Sequence, residues 1–118
     1  MSFRALFVLA EDPRTSGRPV EALRMAAGVR VWQKMEVTLY LRGPSVLLLG
    51  ENGEDLGLVD AENCARCFPL LREEKVPIYV QQGAADLARL GQAALPFAEI
   101  SDSVLAEMAA EHNSVLYF

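Results

Sequence analysis

The amino-acid sequence predicts an α/β fold: a three-layer α/β/α sandwich around a five-stranded, mostly parallel sheet. Three observations predict it. Short apolar runs alternate with segments of helical periodicity from one end of the chain to the other, and such alternation belongs to right-handed βαβ units. The first run, Ala5–Ala10, is apolar at every position, as expected of a strand covered on both faces. No repeat or linker interrupts the 118 residues, so residues 1–118 form one domain with a single core.

The elements follow in order. After Ala5–Ala10 the polar loop Glu11–Arg18 leads to Pro19, whose fixed φ suits the first position of a helix. Val20, Leu23, Ala26, Ala27 and Val31 recur at helical spacing, with Glu21, Arg24 and Arg30 toward water; the helix is expected to end near Trp32–Lys34. Val37–Arg42 is the second strand, and its alternation places it nearer the sheet edge. Gly43-Pro44 stops it, because proline lacks the ladder N–H and disfavours helix in the residue before it. The four consecutive hydrophobes Val46–Leu49 follow where a polar loop is normal. They must be buried, and an oligomer interface is the expectation, with a charge at Leu48 giving a smaller soluble species. Glu51–Gly57 is an acidic turn without calcium-loop spacing. Asp60 is the expected N-cap of a helix through Cys64, Cys67, Leu70 and Leu71 to Lys75, kinked or split at Pro69. Val76–Val80 is the third strand, and Ala84–Leu90 a short helix closed by Gly91. Phe97–Ile100 is the fourth strand. Ser101 or Asp102 caps a helix with Val104, Leu105, Met108 and Ala109 inward, and Ser114–Phe118 is the fifth strand.

Composition excludes several classes of function. The net charge is −5, and the nine arginines and two lysines are scattered, which argues against a phosphate-binding basic face and so against nucleic acid. No apolar run approaches the roughly 20 residues of a membrane span. The apolar N-terminus gives way to Glu11-Asp12-Pro13 before any cleavage-like segment, so a cytoplasmic location is expected, with Cys64 and Cys67 as reduced thiols. There is no P-loop, no Gly-x-Gly-x-x-Gly and no Gly-x-Ser-x-Gly, and no cofactor is implied. One histidine and two cysteines fall short of the four ligands of zinc, so no metal is expected.

In a parallel α/β sheet, ligands sit outside the carboxyl ends of the strands, near a topological switch point. That rule singles out Glu11–Arg18, Arg42–Ser45, the stretch around Cys64, Gln81–Gly83 and Ser101–Asp102. Asp12, Arg42, Gly43, Gln81 and Gln82 are the candidate ligand-binding residues. Either they line a small pocket, or Asp12 pairs with Arg42 while Gln81 satisfies loop backbone. Arg14 and Arg18 flank a helix start and could hold an anion. His112, after the last helix, is expected to cap it or lie at the surface.

Taken together, Phe7-Val8-Leu9-Ala10-Glu11-Asp12-Pro13, Glu21–Gly28, Val37–Val46 and Val76-Pro77-Ile78-Tyr79-Val80 resemble the DsrE/DsrF-like family of small cytoplasmic sulfur-relay proteins. The resemblance implies the YchN-like, Rossmann-like version of the fold and a homo-oligomer, a trimer or hexamer. It also implies sulfur-carrier proteins as partners and a persulfide on a cysteine just after the third strand. Here that segment is Tyr79-Val80-Gln81-Gln82-Gly83-Ala84, and glutamine is neither a nucleophile nor a sulfur acceptor. A non-catalytic or degenerate oligomeric subunit or binding protein is therefore expected.

The alternative is an active sulfurtransferase or thiol-redox protein using Cys64 and Cys67. Cys64-Ala65-Arg66-Cys67 has redox spacing, and Arg66 could favour a thiolate. Against this, Asp60 as N-cap would leave Cys64 a turn inside the helix, and cysteines often simply pack.

Overall fold

The computed structural model describes residues 3–31 and 35–118. Five strands form one sheet: β1 (Arg4–Leu9), β2 (Glu36–Leu41), β3 (Ile78–Gln81), β4 (Ala98–Ile100) and β5 (Ser114–Tyr117). Their order is β4-β3-β2-β1-β5, and every pairing is parallel. Helices α1 (Arg18–Val31) and α2 (Ala61–Glu73) cover one face, and α3 (Asp102–Ala110) covers the other. The α/β sandwich is as the alternation of segments predicts.

Strand parity divides the side chains. Ala5, Phe7, Leu9, Leu39, Leu41 and Val80 point into the larger core beneath α1 and α2. Leu6, Val8, Tyr40 and Ile100 form a smaller core, completed by Leu105 and Met108 of α3. Burial of this apolar surface is the main stabilising term of the fold.

Several expectations need correction. β2 is the central strand, not one near an edge. Its apparent polarity misleads, because Thr38 and Tyr40 are buried too, on the α3 side. Thr38 Oγ1 lies 3.1 Å from His112 Nε2, and the Nδ1 of that histidine is 2.7 Å from the Met108 carbonyl. His112 thus caps α3 as expected and also ties its end to β2.

Val46–Leu49 is core, not an interface. These residues lie in a 3₁₀ helix, Gly43–Leu49, with Pro44 in its first turn, and are 0–1% exposed in the single chain. Ser45 anchors the turn: its hydroxyl is 2.7 Å from the Leu9 carbonyl and 2.8 Å from that of Arg42. The helix is closed in by α1, by a second 3₁₀ helix (Ala85–Arg89) and by Gly50, which bridges to Ala93. A methyl on Gly50 would stand 3.2 Å from the Leu90 carbonyl.

The predicted helix over 84–90 is that second 3₁₀ helix, and Gly91 after it has φ +68°, as its C′ role requires. α2 runs through Pro69 as one helix. Ala65 and Pro69 both face water, so solvent can satisfy the carbonyl that loses its donor. Asp60 precedes α2 in a left-handed conformation (φ 63°), and its side chain makes no cap bond; its carboxylate accepts from Asn63 Nδ2 at 2.9 Å. α1 buries Val20, Leu23, Ala26 and Ala27 as predicted. The end expected at Trp32–Lys34 lies outside the described residues.

Candidate functional site

The crossovers fix where a ligand can enter. The connection from β3 to β4 passes over the α1/α2 face, where Leu87 and Leu90 join the larger core. The connection from β4 to β5 is α3, on the opposite face. The chain therefore leaves the neighbouring strands β3 and β4 toward opposite sides, which opens a crevice beyond their carboxyl ends. A cavity of about 290 Å³ lies there, lined by Gln81, Gln82, Ile100, Ser101 and Asp102.

Each wall has a local cause. Gln81 closes β3 in register with Ile100 of β4. The turn after it is held by the Ala84 amide donating to the Gln81 carbonyl at 3.2 Å, and Gly83 supplies the required φ of +73°. The Gln82 amide donates to the Ile100 carbonyl at 3.0 Å, so the two loops are clamped together. Across the crevice Ser101 is the N-cap of α3, its Oγ accepting from the Val104 amide at 3.3 Å. Asp102 then sits in the first turn, where the helix dipole favours negative charge.

Of the candidates taken from the sequence, Gln81 and Gln82 line this crevice. Gly43 touches it through Gln81, whose Oε1 accepts from the Gly43 amide at 2.9 Å; the glutamine does satisfy loop backbone. Arg42 lies on the α3 side of the same edge, lining a neighbouring cavity of about 230 Å³ that Asp102 shares.

Asp12 does not join them. Its carboxylate is held by Arg14, with Oδ1 accepting from Nε at 3.0 Å and Oδ2 from Nη2 at 2.9 Å. The guanidinium hydrogen bonds keep its pKa below the ordinary carboxylate value. Among the described residues no ion pair joins Asp12 to Arg42. The anion site considered at Arg14 and Arg18 is likewise closed. Arg18 pairs with Glu11 at 2.9 Å and reaches the Tyr117 carbonyl at 3.1 Å, and Ser16 donates to Glu11 at 2.8 Å.

The thiols lie elsewhere. Cys64 and Cys67 are 2% and 5% exposed, on the face of α2 turned to the larger core. The Cys64 thiol is 3.5 Å from the Leu48 carbonyl, and the Cys67 thiol 3.3 Å from the Asn63 carbonyl one turn back. Burial pushes the Cys64 thiol up to about 12, with Cys67 and Asp60 adding to it. Burial raises Cys67 as well, despite the opposing charge of Arg24. These are features of packed thiols, since a nucleophilic cysteine needs a lowered pKa and access. Arg66, the expected activator, pairs with Glu62 at 2.7 Å on the exposed side.

Ser101 and Asp102 were marked by their strand-end position, but their pairing with Gln82 depends on β4 lying beside β3. Tyr40 gave no signal beyond an aromatic hydroxyl on the strand face it shares with Thr38. Among the described residues no group of acidic, histidine or cysteine side chains could hold a metal ion, and no helix is long and apolar enough to cross a membrane.

No family model and no curated protein matches this chain. Among solved structures, the YchN protein from E. coli matches with a TM-score of 0.76 and 18% identity, over 98% of this chain and 99% of that one. At that identity the likeness concerns the fold alone, and it is the fold the resemblance implied: this chain has the YchN fold along nearly its whole length.

Proposed function

We propose that the protein is a non-catalytic, oligomeric binding subunit of the DsrE/DsrF-like type, working beside sulfur-relay proteins without carrying sulfur itself. One observation carries this reading. The switch-point crevice, where the fold presents ligands, offers two carboxamides, a hydroxyl and a carboxylate, while both thiols are buried against the larger core. Carboxamides and hydroxyls orient a ligand by hydrogen bonds; they cannot accept a sulfane sulfur.

The exposed apolar surface supports the assembly part. β5 is an edge strand, and Leu116 and Tyr117 on it are 40% and 71% exposed, with Val104 of α3 at 40%. Unpaired strand edges with apolar side chains are ready partners for another chain. Light scattering should find a multimer, and Tyr117→Glu a smaller, folded species.

Mass spectrometry of the intact chain after treatment with a persulfide donor tests the functional part. The native protein should gain no sulfur atom. An adduct that disappears in Cys64→Ser would replace this reading with the sulfurtransferase alternative.

A further inference from the structure

The cavity beside the crevice, about 230 Å³ between the sheet and α3, has an apolar interior and an unpaired charge of each sign. Leu6, Val8 and Val115 form its floor, and Leu105 and Ala109 of α3 its roof. Arg42 and Asp102 line it as well. Neither side chain makes an ion pair or hydrogen bond with any described residue, and they do not pair with each other. The other arginines of this edge, Arg14 and Arg18, are both committed to acidic partners.

A third group lies behind the cavity's floor, packed with Leu6 and Val8 but not itself among the lining residues. Tyr40 is fully buried among Leu6, Val8 and Ile100, and its hydroxyl is the one enclosed side-chain polar atom without a partner among the described residues. Such orphans are rare in folded proteins and call for an explanation. Burial keeps the phenol protonated, and the two charges its ionisation senses are those of Arg42 and Asp102. The hydroxyl is therefore neutral and enclosed, and it lies outside the cavity wall.

A cation and an anion beside an apolar space are complementary to a zwitterion with a hydrocarbon body. We propose that this cavity binds a small aliphatic amino acid. Its carboxylate is taken by the Arg42 guanidinium, its ammonium by Asp102, and its side chain by Leu6, Val8 and Leu105. The volume is below the roughly 300 Å³ at which pockets for drug-sized ligands begin, which limits the body to about the size of valine or leucine. This site goes beyond the function proposed above and does not depend on whether sulfur is carried.

Thermal melting and calorimetric titration of the full chain with L-leucine and L-valine test it, against 4-methylpentanoate (no ammonium) and 3-methylbutylamine (no carboxylate). At least one amino acid should raise the melting temperature saturably, and both truncated analogues should bind at least about tenfold more weakly. Arg42→Gln and Asp102→Asn should each weaken amino-acid binding by about tenfold or more. The proposal is overturned if neither amino acid gives a saturable shift, if 4-methylpentanoate binds as tightly, or if Arg42→Gln leaves the affinity intact. Sulfur loading is read by mass without any amino acid present, so failure of one proposal leaves the other standing.

Discussion

The Gly43 amide donates to the side-chain oxygen of Gln81 at 2.9 Å, joining the end of β2 to the end of β3. Gly43 has φ +54°, a conformation that glycine adopts without steric cost. Its N–H is turned toward the neighbouring strand end, and Gln81 reaches across to accept from it. The residue thus organises the edge at which Arg42, Gln82 and Asp102 also lie.

Gln81→Ala should cost about 1 kcal/mol, the net worth of one such bond plus the exposure of its donor. Urea denaturation would measure it. Gln81→Glu, which keeps the acceptor, should lose less.

Leu48 tests where the hydrophobic run belongs. Leu48→Ala should cost about 2–5 kcal/mol, as for other fully buried leucines. Leu48→Glu should not yield a smaller soluble species but an unfolded one, because an unpaired carboxylate would sit in the core. Circular dichroism and light scattering on the same sample separate the two outcomes.

The Asp12–Arg14 pair sets a pH dependence. Asp12 has a folded-state pKa below its unfolded value of about 3.9. The unfolded chain therefore binds the proton more readily, so the pair's contribution is present above about pH 4 and is lost as pH falls through the folded pKa. In Arg14→Ala the Asp12 titration followed by NMR should move upward toward the ordinary carboxylate value. An unchanged midpoint would mean that the guanidinium is not what holds it down.

The sheet was legible from the sequence because its signals are local. Pro19 marks the start of α1, Gly43-Pro44 the end of β2, and the unbroken apolar run of β1 a strand covered on both sides. What misled was information carried by neighbours distant in sequence. Thr38 and Tyr40 look solvent-facing until α3 is laid over them, and Thr38 finds His112 74 residues away. Four consecutive hydrophobes just past a strand end stand where a polar loop is normal, so Val46–Leu49 resembled a surface for another subunit. In a 3₁₀ helix enclosed on every side, such a run needs no polar face. Asp12 does not pair with Arg42 for the opposite reason: Arg14, two residues on, satisfies its carboxylate within the loop.

For the candidate site, the residue types at the strand ends were legible, but their grouping was not. The sheet order alone puts Ser101 and Asp102 opposite Gln82, and the crossing of α3 alone brings Arg42 to Asp102's cavity. Burial of the thiols also escaped the sequence, since Cys-x-x-Cys reads the same at an exposed helix start and on a buried helix face.

The accessibility of those two thiols is the most direct test that this edge binds rather than transfers sulfur. A thiol-reactive chromogen added to the native protein at pH 8 should label neither Cys64 nor Cys67 at the rate of a free cysteine, and both should react once urea unfolds the chain. Rapid stoichiometric labelling of either cysteine in the native state would contradict the account and return the sulfur chemistry to α2.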